Sequence, residues 1–182
     1  MKTTKLIATG LMVAFAGLFV SCNDDDSDSC AVDYTGELSQ PEMQFVGTWS
    51  LTAIQSSEPV DLTDDDTENP STDIFAQNTP CRNDVVYEFN EDRTFTYMEG
   101  LNEEDCNEEN INGTWMLGGN TLGLVTGCFE VIEELAFNAS RTSYSVSSEV
   151  NIVDVNGQSQ AVELTFTYTQ GPNMEDPEPA FE

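Results

Sequence analysis

The side chains available for chemistry in this chain are almost all carboxylates and thiols. The sequence contains 34 Asp and Glu and five Cys, but no His, and its only Lys are Lys2 and Lys5. Without His, neither a Ser-His-Asp or Cys-His nucleophile nor an imidazole metal site can form. Without Lys after residue 5, Schiff-base chemistry lacks an amine in the rest of the chain. An enzyme with this sequence would have to use paired carboxylates, as glycoside hydrolases do.

Acidic residues are too frequent for their presence alone to indicate a catalytic site. Glu133 is the one strand acid that alternation places on an apolar face. A single carboxylate in such a place suggests a structural position, for example at a bulge. We therefore expect no catalytic residue, no cofactor and no enzymatic activity.

Two acid-rich segments raise the question of calcium binding. Acidic side chains are concentrated at 61–68 and again at 103–109. Calcium prefers oxygen ligands, but neither segment has the Asp-x-Asp-x-Asp-Gly order followed by Glu. The sequence favours solvated acidic surfaces and predicts no metal site, with calcium binding as the open alternative.

The first thiol, Cys22, follows a segment typical of secreted proteins. Two Lys precede residues 6–20, an uncharged apolar run of 15 residues. This run is shorter than the roughly 20 residues that a helix needs to cross a bilayer. Ser21-Cys22 follows this run and resembles the lipobox of bacterial lipoproteins, where the cysteine becomes the lipidated first residue of the mature chain. The resemblance implies a signal peptide at 1–21 and a lipid on Cys22.

An acidic run follows that cysteine directly. Residues 23–28 resemble the surface-export signal of Bacteroidota lipoproteins. We expect a protein anchored in the outer membrane and displayed at the cell surface, with the periplasmic leaflet as the alternative. Residues 22–44 would form a lipidated acidic tether. Beyond residue 21, three Arg stand against 34 acids, a formal charge of −31, which argues against nucleic acid as a partner.

From Phe45 onwards, apolar and polar residues alternate as in β-strands. We predict eight strands, at 47–55, 84–89, 94–98, 113–117, 121–125, 129–137, 143–153 and 160–169. Asn156-Gly157 between the last two is a strong hairpin signal. One apolar face per strand favours an all-β, eight-stranded antiparallel up-and-down barrel over 45–170, with a two-sheet β-sandwich as the alternative. Residues 171–182 are expected to form a disordered acidic tail.

The four other cysteines predict two disulfides, because an even number in an oxidising compartment is usually paired. Cys81 precedes the second predicted strand and Cys106 follows the third, so antiparallel pairing brings them to one end of the barrel. We predict that Cys81 and Cys106 form one bridge. Cys30 with Cys128 is the default second bridge, although Cys128 lies at the same end and could compete.

Several pieces occur in an order that resembles the lipocalin-like domain of Bacteroidota surface lipoproteins. They are Gly47-Thr48-Trp49, Cys81 before residues 85–89, the turn at 90–95, Cys106, and Gly113-Thr114-Trp115 followed by Asn120-Thr121-Leu122. The resemblance implies a lipocalin-like barrel and points to the same pairing of Cys81 with Cys106. The repeated Gly-Thr-Trp favours a structural role, in which Gly allows a bend at the barrel end and Trp fills the floor.

Two functions fit such a barrel. The first is a non-enzymatic binding module for a small apolar or amphipathic ligand, with a mouth that points away from the membrane. Its ligand-lining candidates are Trp49, Tyr87, Phe89, Phe95, Tyr97, Trp115, Leu124 and Phe166. The second is a packed structural or interaction protein whose acidic loops contact another surface protein or a glycan. In both cases we expect a monomer.

Overall fold

The computed structural model describes residues 30–101 and 106–171 of the chain. The predicted signal peptide, the lipidation site Cys22, the acidic run at 23–28 and the tail beyond residue 171 lie outside the described residues. Within these two ranges, no helix is long and apolar enough to cross a membrane.

The described chain is mostly β-structure, as its alternating pattern predicts. The strands are β1 (Gly47–Val60), β2 (Ser71–Asp73), β3 (Val86–Phe89), β4 (Thr94–Glu99), β5 (Glu109–Gly118), β6 (Thr121–Thr126), β7 (Phe129–Glu134), β8 (Ala136–Phe137), β9 (Ser143–Val153) and β10 (Ser159–Gln170). The helices are short: α1 (Gln40–Phe45), α2 (Ile74–Gln77) and α3 (Pro80–Asn83).

These strands form one antiparallel sheet in the order β7-β6-β5-β4-β3-β1-β10-β9-β8, and β2 pairs with β1. Most strands that follow each other in the chain are also neighbours in the sheet, which is the arrangement of an up-and-down barrel. The barrel prediction is therefore confirmed, and the two-sheet sandwich is not formed.

The barrel is nearly closed by one bent segment. The predicted strand at 129–137 divides at Leu135, so that β7 pairs with β6 whereas β8 pairs with β9. Leu135 is buried, and its N–H donates to the carbonyl oxygen of Asn120. Because this bend interrupts the ladder, the path of the sheet contains nine strands and not the eight predicted.

The two ends of the barrel carry different connections. The end where β1 begins holds the short turns after β3 and β5, and we call it the closed end. The opposite end holds the connections at 61–85 and 100–108 and the turn between β6 and β7, and we call it the mouth end.

The closed end is filled by aromatic side chains. Trp49, Phe89 and Trp115 are fully buried. Phe45 of α1 plugs this end from below, with its ring centroid 4.8 Å from that of Trp49 and 4.7 Å from that of Phe89. Gly113 lies so close to β6 that a Cβ there would overlap the carbonyl oxygen of Val125. The two Trp thus fill the floor, as predicted.

The expected tether is not free over residues 30–44, which lie against the barrel. Cys30 is bonded to Cys128 at the mouth end. The segment then follows the outer wall, where the ring of Tyr34 lies over Gly123 and leaves no room for a Cβ. Finally α1 crosses the closed end. The polar composition of this segment predicted a tether, but the disulfide and α1 fix both of its ends.

Both predicted disulfides are present, and they lie at the mouth end. Besides Cys30–Cys128, Cys81 of α3 is bonded to Cys106, with Cα atoms 5.5 Å apart. The expectation that the mouth points away from the membrane assumes that the chain enters the barrel from the closed end. The structure instead places Cys30, the first described residue, at the mouth end.

Candidate functional site

The mouth half of the interior is lined by side chains that point inward but are only partly buried. Tyr87 lies opposite Tyr97 in the ladder, and Phe166 lies opposite Val146. An inward side chain that keeps solvent exposure borders a space that water can enter. We call these side chains the interior band: Tyr87, Tyr97, Val131, Val146, Phe166 and Tyr168.

The tyrosines of the interior band form one aromatic wall. The ring centroids of Tyr87 and Tyr97 are 5.1 Å apart, and those of Tyr87 and Tyr168 are 5.5 Å apart, both edge to face. Tyr168 also stacks on the buried Tyr144 at 5.1 Å. Such contacts hold the rings in defined orientations. The wall is therefore preorganised.

A carboxylate faces this wall from β7. Glu133 pairs with Leu122 and lies on the same face as Val131, which pairs with Leu124. Since Leu122 and Leu124 belong to the core, Glu133 points into the barrel, as the sequence predicted. It is partly buried, and this burial raises the pKa of its carboxyl group. In the part of the chain that the structure describes, its carboxylate accepts no hydrogen bond and forms no ion pair.

A second carboxylate, Glu99, lies at the end of β4 on the same face as Tyr97. The hydroxyl of Tyr97 donates to Glu99 Oε2 at 2.6 Å. Burial chiefly raises the pKa of Tyr168, and the negative charges of Glu133 and Glu99 raise it further. Burial and the same two carboxylates also raise the pKa of Tyr87. Both carboxylates are thus within electrostatic range of the aromatic wall.

The described cationic side chains lie elsewhere. Arg93 is at the closed end, paired with Glu42. The guanidinium carbon of Arg141 lies 3.7 Å from the centroid of the Phe137 ring. Arg82 belongs to α3 and forms no ion pair with a described residue. No described arginine therefore neutralises Glu133.

The structure divides the predicted ligand-lining residues into two groups. Tyr87, Tyr97 and Phe166 lie in the interior band. The others are packed in the core cluster of the closed end: Trp49, Phe89, Phe95, Trp115 and Leu124. Alternation identifies all of them as inward-facing, but it does not reveal the depth at which each lies.

The ion pair at the closed end was missed by the sequence analysis. Arg93 Nη1 donates to Glu42 Oε1 at 2.7 Å, and Nη2 donates to Oε2 at 3.1 Å. The N–H groups of Ser39 and Leu117 donate to the same carboxylate at 2.7 and 3.2 Å. Burial raises the pKa of Glu42, but these donors outweigh it and lower the pKa to about 2. The pair fixes α1 across the floor.

A groove of about 600 Å³ lies outside the barrel, between the β1–β3 wall and the helices α2 and α3. Its lining includes Ser50, Val86 and Asn83. Asn83 Nδ2 donates to the carbonyl oxygen of Phe75 at 2.7 Å, whereas its buried Oδ1 has no partner in the described chain. The groove is open and separate from the interior band.

The acidic loop that begins at Asp61 is held together by hydrogen bonds from its own backbone N–H groups. The buried carboxylate of Asp61 accepts the N–H of Asn69 at 3.1 Å and that of Thr63 at 3.2 Å. These bonds, the one from Asn69 above all, lower the pKa of Asp61. Over residues 30–101 and 106–171, no group of three or more Cys, Asp or Glu side chains is placed to hold a metal ion.

Comparison with known proteins gives a family and a distant similarity to solved structures. The model of a family described as a domain of unknown function, DUF5004, matches residues 23–170. No curated protein matches the chain. A solved complex of bovine odorant binding protein with a selenium-containing odorant aligns with 79% of this chain and 80% of that chain, at 19% identity and a TM-score of 0.36.

Proposed function

We propose that this chain, which belongs to the DUF5004 family of domains of unknown function, is a non-enzymatic binding module that holds a small, partly apolar ligand in the mouth half of its barrel. The observation that carries the proposal is the interior band. Its aromatic side chains face inward, keep solvent exposure and are held in fixed orientations. A concave, preformed and mostly apolar site with a few polar groups is what small-molecule ligands use.

The rival is a packed barrel that acts only through its acidic outer loops. The closed half supports this reading, because its aromatic residues are close-packed. A close-packed interior leaves no room for a ligand. The two readings differ in the mouth half, where the partly buried interior band favours the binding module.

A test of the binding module uses an apolar fluorescent dye, N-phenyl-1-naphthylamine. The wild type should bind it saturably. Val146→Trp places a large side chain in the interior band and should weaken dye binding by about tenfold or more, with a small change in melting temperature. Val153→Trp, on the exposed face of the same strand, is the matched control and should bind the dye like the wild type. Absence of saturable binding to the wild type would favour the packed barrel.

We also propose that a lipid on Cys22 anchors this module in the outer membrane, at the cell surface. The lipobox resemblance at Ser21-Cys22 and the acidic run at 23–28 support it. Cys22→Ala should release the protein into the soluble fraction, and replacement of the four Asp at 24–28 by Ala should protect it from protease added to cells. A Cys22→Ala protein that still partitions into detergent would contradict the anchor.

The Cys30–Cys128 bridge gives this anchor a direction. Cys30 is eight residues after Cys22, a reach of at most about 28 Å. The anchored barrel would therefore have its mouth end nearer the membrane. A fluorophore on Val155→Cys, at the mouth end, should transfer energy to a labelled lipid more efficiently than one on Gly119→Cys at the closed end. Equal transfer from both positions would contradict this direction.

A further inference from the structure

The two inward carboxylates beside the aromatic wall have a charge that the chain itself does not balance. Beyond residue 21 the sequence has only three cationic side chains, Arg82, Arg93 and Arg141. Arg93 is used by Glu42, and Arg141 lies over the ring of Phe137. The pair of Arg93 with Glu42 is the one ion pair within the described residues. A counter-charge for Glu133 would have to come from outside.

The surroundings of Glu133 suit a particular kind of positive charge. The charge of Glu133 acts across the interior on Tyr87 of β3, Tyr144 of β9 and Tyr168 of β10. Tyr97 of β4 lies beside Tyr87 and donates a hydrogen bond to Glu99. Aromatic faces attract an ammonium group through their ring electrons, and more strongly where water is excluded. A nearby carboxylate adds a direct charge interaction. An anionic ligand would be repelled by Glu133 and Glu99.

A divalent metal ion fits this place poorly. Calcium takes six to eight oxygen ligands, and magnesium needs an octahedral set. The described residues bring no three acidic or thiol ligands together here, and the wall opposite Glu133 is made of rings. Apolar rings and a single inward carboxylate suit an organic cation with an apolar body.

We propose that the ligand of the barrel interior is an amphipathic organic cation, an amine or quaternary ammonium compound, whose positive charge lies between Glu133 and the aromatic wall of Tyr87, Tyr97 and Tyr168. This inference rests on the proposed binding function and names the class of its ligand. Glu133 supplies the counter-charge, Glu99 adds to the negative potential through its place beside Tyr97, and Phe166 and Val146 contact the apolar body.

The test compares three probes that share a ten-carbon tail: decyltrimethylammonium, 1-decanol and decanoate. Each competes with the bound dye N-phenyl-1-naphthylamine in the full chain from residue 23, at 0.15 M salt, where charges on the outer surface are screened beyond about 8 Å. Decyltrimethylammonium should displace the dye at a concentration about tenfold or more below that of 1-decanol. Decanoate should be the weakest competitor.

The variants separate the interior charge from the general acidity of the protein. Glu133→Gln should remove most of the preference for decyltrimethylammonium over 1-decanol, with the dye affinity of each variant measured first so that displacement is compared at equal dye occupancy. Glu134→Gln removes one charge from the next residue, which is exposed and accepts a hydrogen bond from Thr121. The Glu134→Gln protein should keep the full preference for decyltrimethylammonium. Equal loss in both variants would assign the preference to surface charge and overturn the inference.

The outcomes also distinguish this inference from the proposal on which it rests. If the dye does not bind the wild type, the binding function itself fails. If the dye binds and is displaced equally by decyltrimethylammonium and 1-decanol, the binding function stands and the organic cation is wrong.

Discussion

The floor of this barrel and its aromatic wall each lie beside an inward glutamate, and they treat it in opposite ways. At the closed end, Glu42 is held by Nη1 and Nη2 of Arg93 and by two backbone N–H groups. Glu133 on β7 lies opposite Leu122 and faces the aromatic wall, and it has no such donor among the described residues. The pKa of Glu42 is accordingly low, about 2, whereas burial raises the pKa of Glu133.

The closed end of the barrel is also packed more tightly than the interior band. The side chains around Trp49 and Trp115 fill the closed end, and each indole N–H donates to a backbone carbonyl oxygen. The interior band keeps solvent exposure although it faces inward. A buried polar group that has hydrogen-bond partners within the fold contributes to stability. A buried polar group that lacks such partners is a candidate for ligand binding.

The largest effect should come from removing the cation at the closed end. Arg93→Met leaves Glu42 buried without its partner and should cost about 3–5 kcal/mol of unfolding free energy. Arg141→Met, which removes a guanidinium from the face of an aromatic ring, should cost less than about 1 kcal/mol. Urea unfolding measures both. A loss for Arg93→Met no larger than that for Arg141→Met would contradict the stabilising role of the pair.

Acid should weaken the closed end through Glu42. Above its ordinary pKa of 4.5 the carboxylate is charged in both the folded and the unfolded chain, and its stabilisation is complete. As the pH falls from 4.5 towards 2, the unfolded chain takes up the proton first, and about 3 kcal/mol is lost. The difference in unfolding free energy between the wild type and Glu42→Gln should therefore shrink by about 2.5 kcal/mol between pH 6 and pH 2.5. A constant difference would contradict the low pKa.

Glu133 should show a smaller effect of opposite sign. Because burial penalises the charged form of Glu133, the wild type loses stability as the pH rises from 4.5 through the raised pKa. Glu133→Gln removes this penalty and should stabilise the protein at pH 7 by about 1 kcal/mol. The gain should vanish below pH 4.5, in the same unfolding experiment. A destabilised Glu133→Gln protein at pH 7 would indicate a structural role for this carboxylate.

The sequence predicted the strands well because alternation and turn residues are local signals. All eight predicted strands are present, and Asn156-Gly157 forms the turn between β9 and β10. The bend at Leu135 was missed, since the pattern of 129–137 continues through it and only pairing with different neighbours reveals it.

The candidate site could be predicted in part. Alternation placed Glu133 and the tyrosines on the inward face. The depth of each residue in the barrel depends on how the closed end is plugged, and α1 was not predicted. The spacing Ser39-x-x-Glu42 is a local signal for the start of a helix that could have revealed it. The pairing of Glu42 with Arg93, 51 residues later, has no local signal.

The most direct test of the contrast between the two inward glutamates is the titration of both by carboxyl ¹³C NMR. Without ligand, Glu42 should titrate near 2 and Glu133 above its ordinary 4.5. With saturating decyltrimethylammonium, the pKa of Glu133 should fall while that of Glu42 stays constant, because only Glu133 gains a neighbouring positive charge. A Glu133 that titrates at or below 4.5 without ligand, or that does not respond to the cation, would contradict the account.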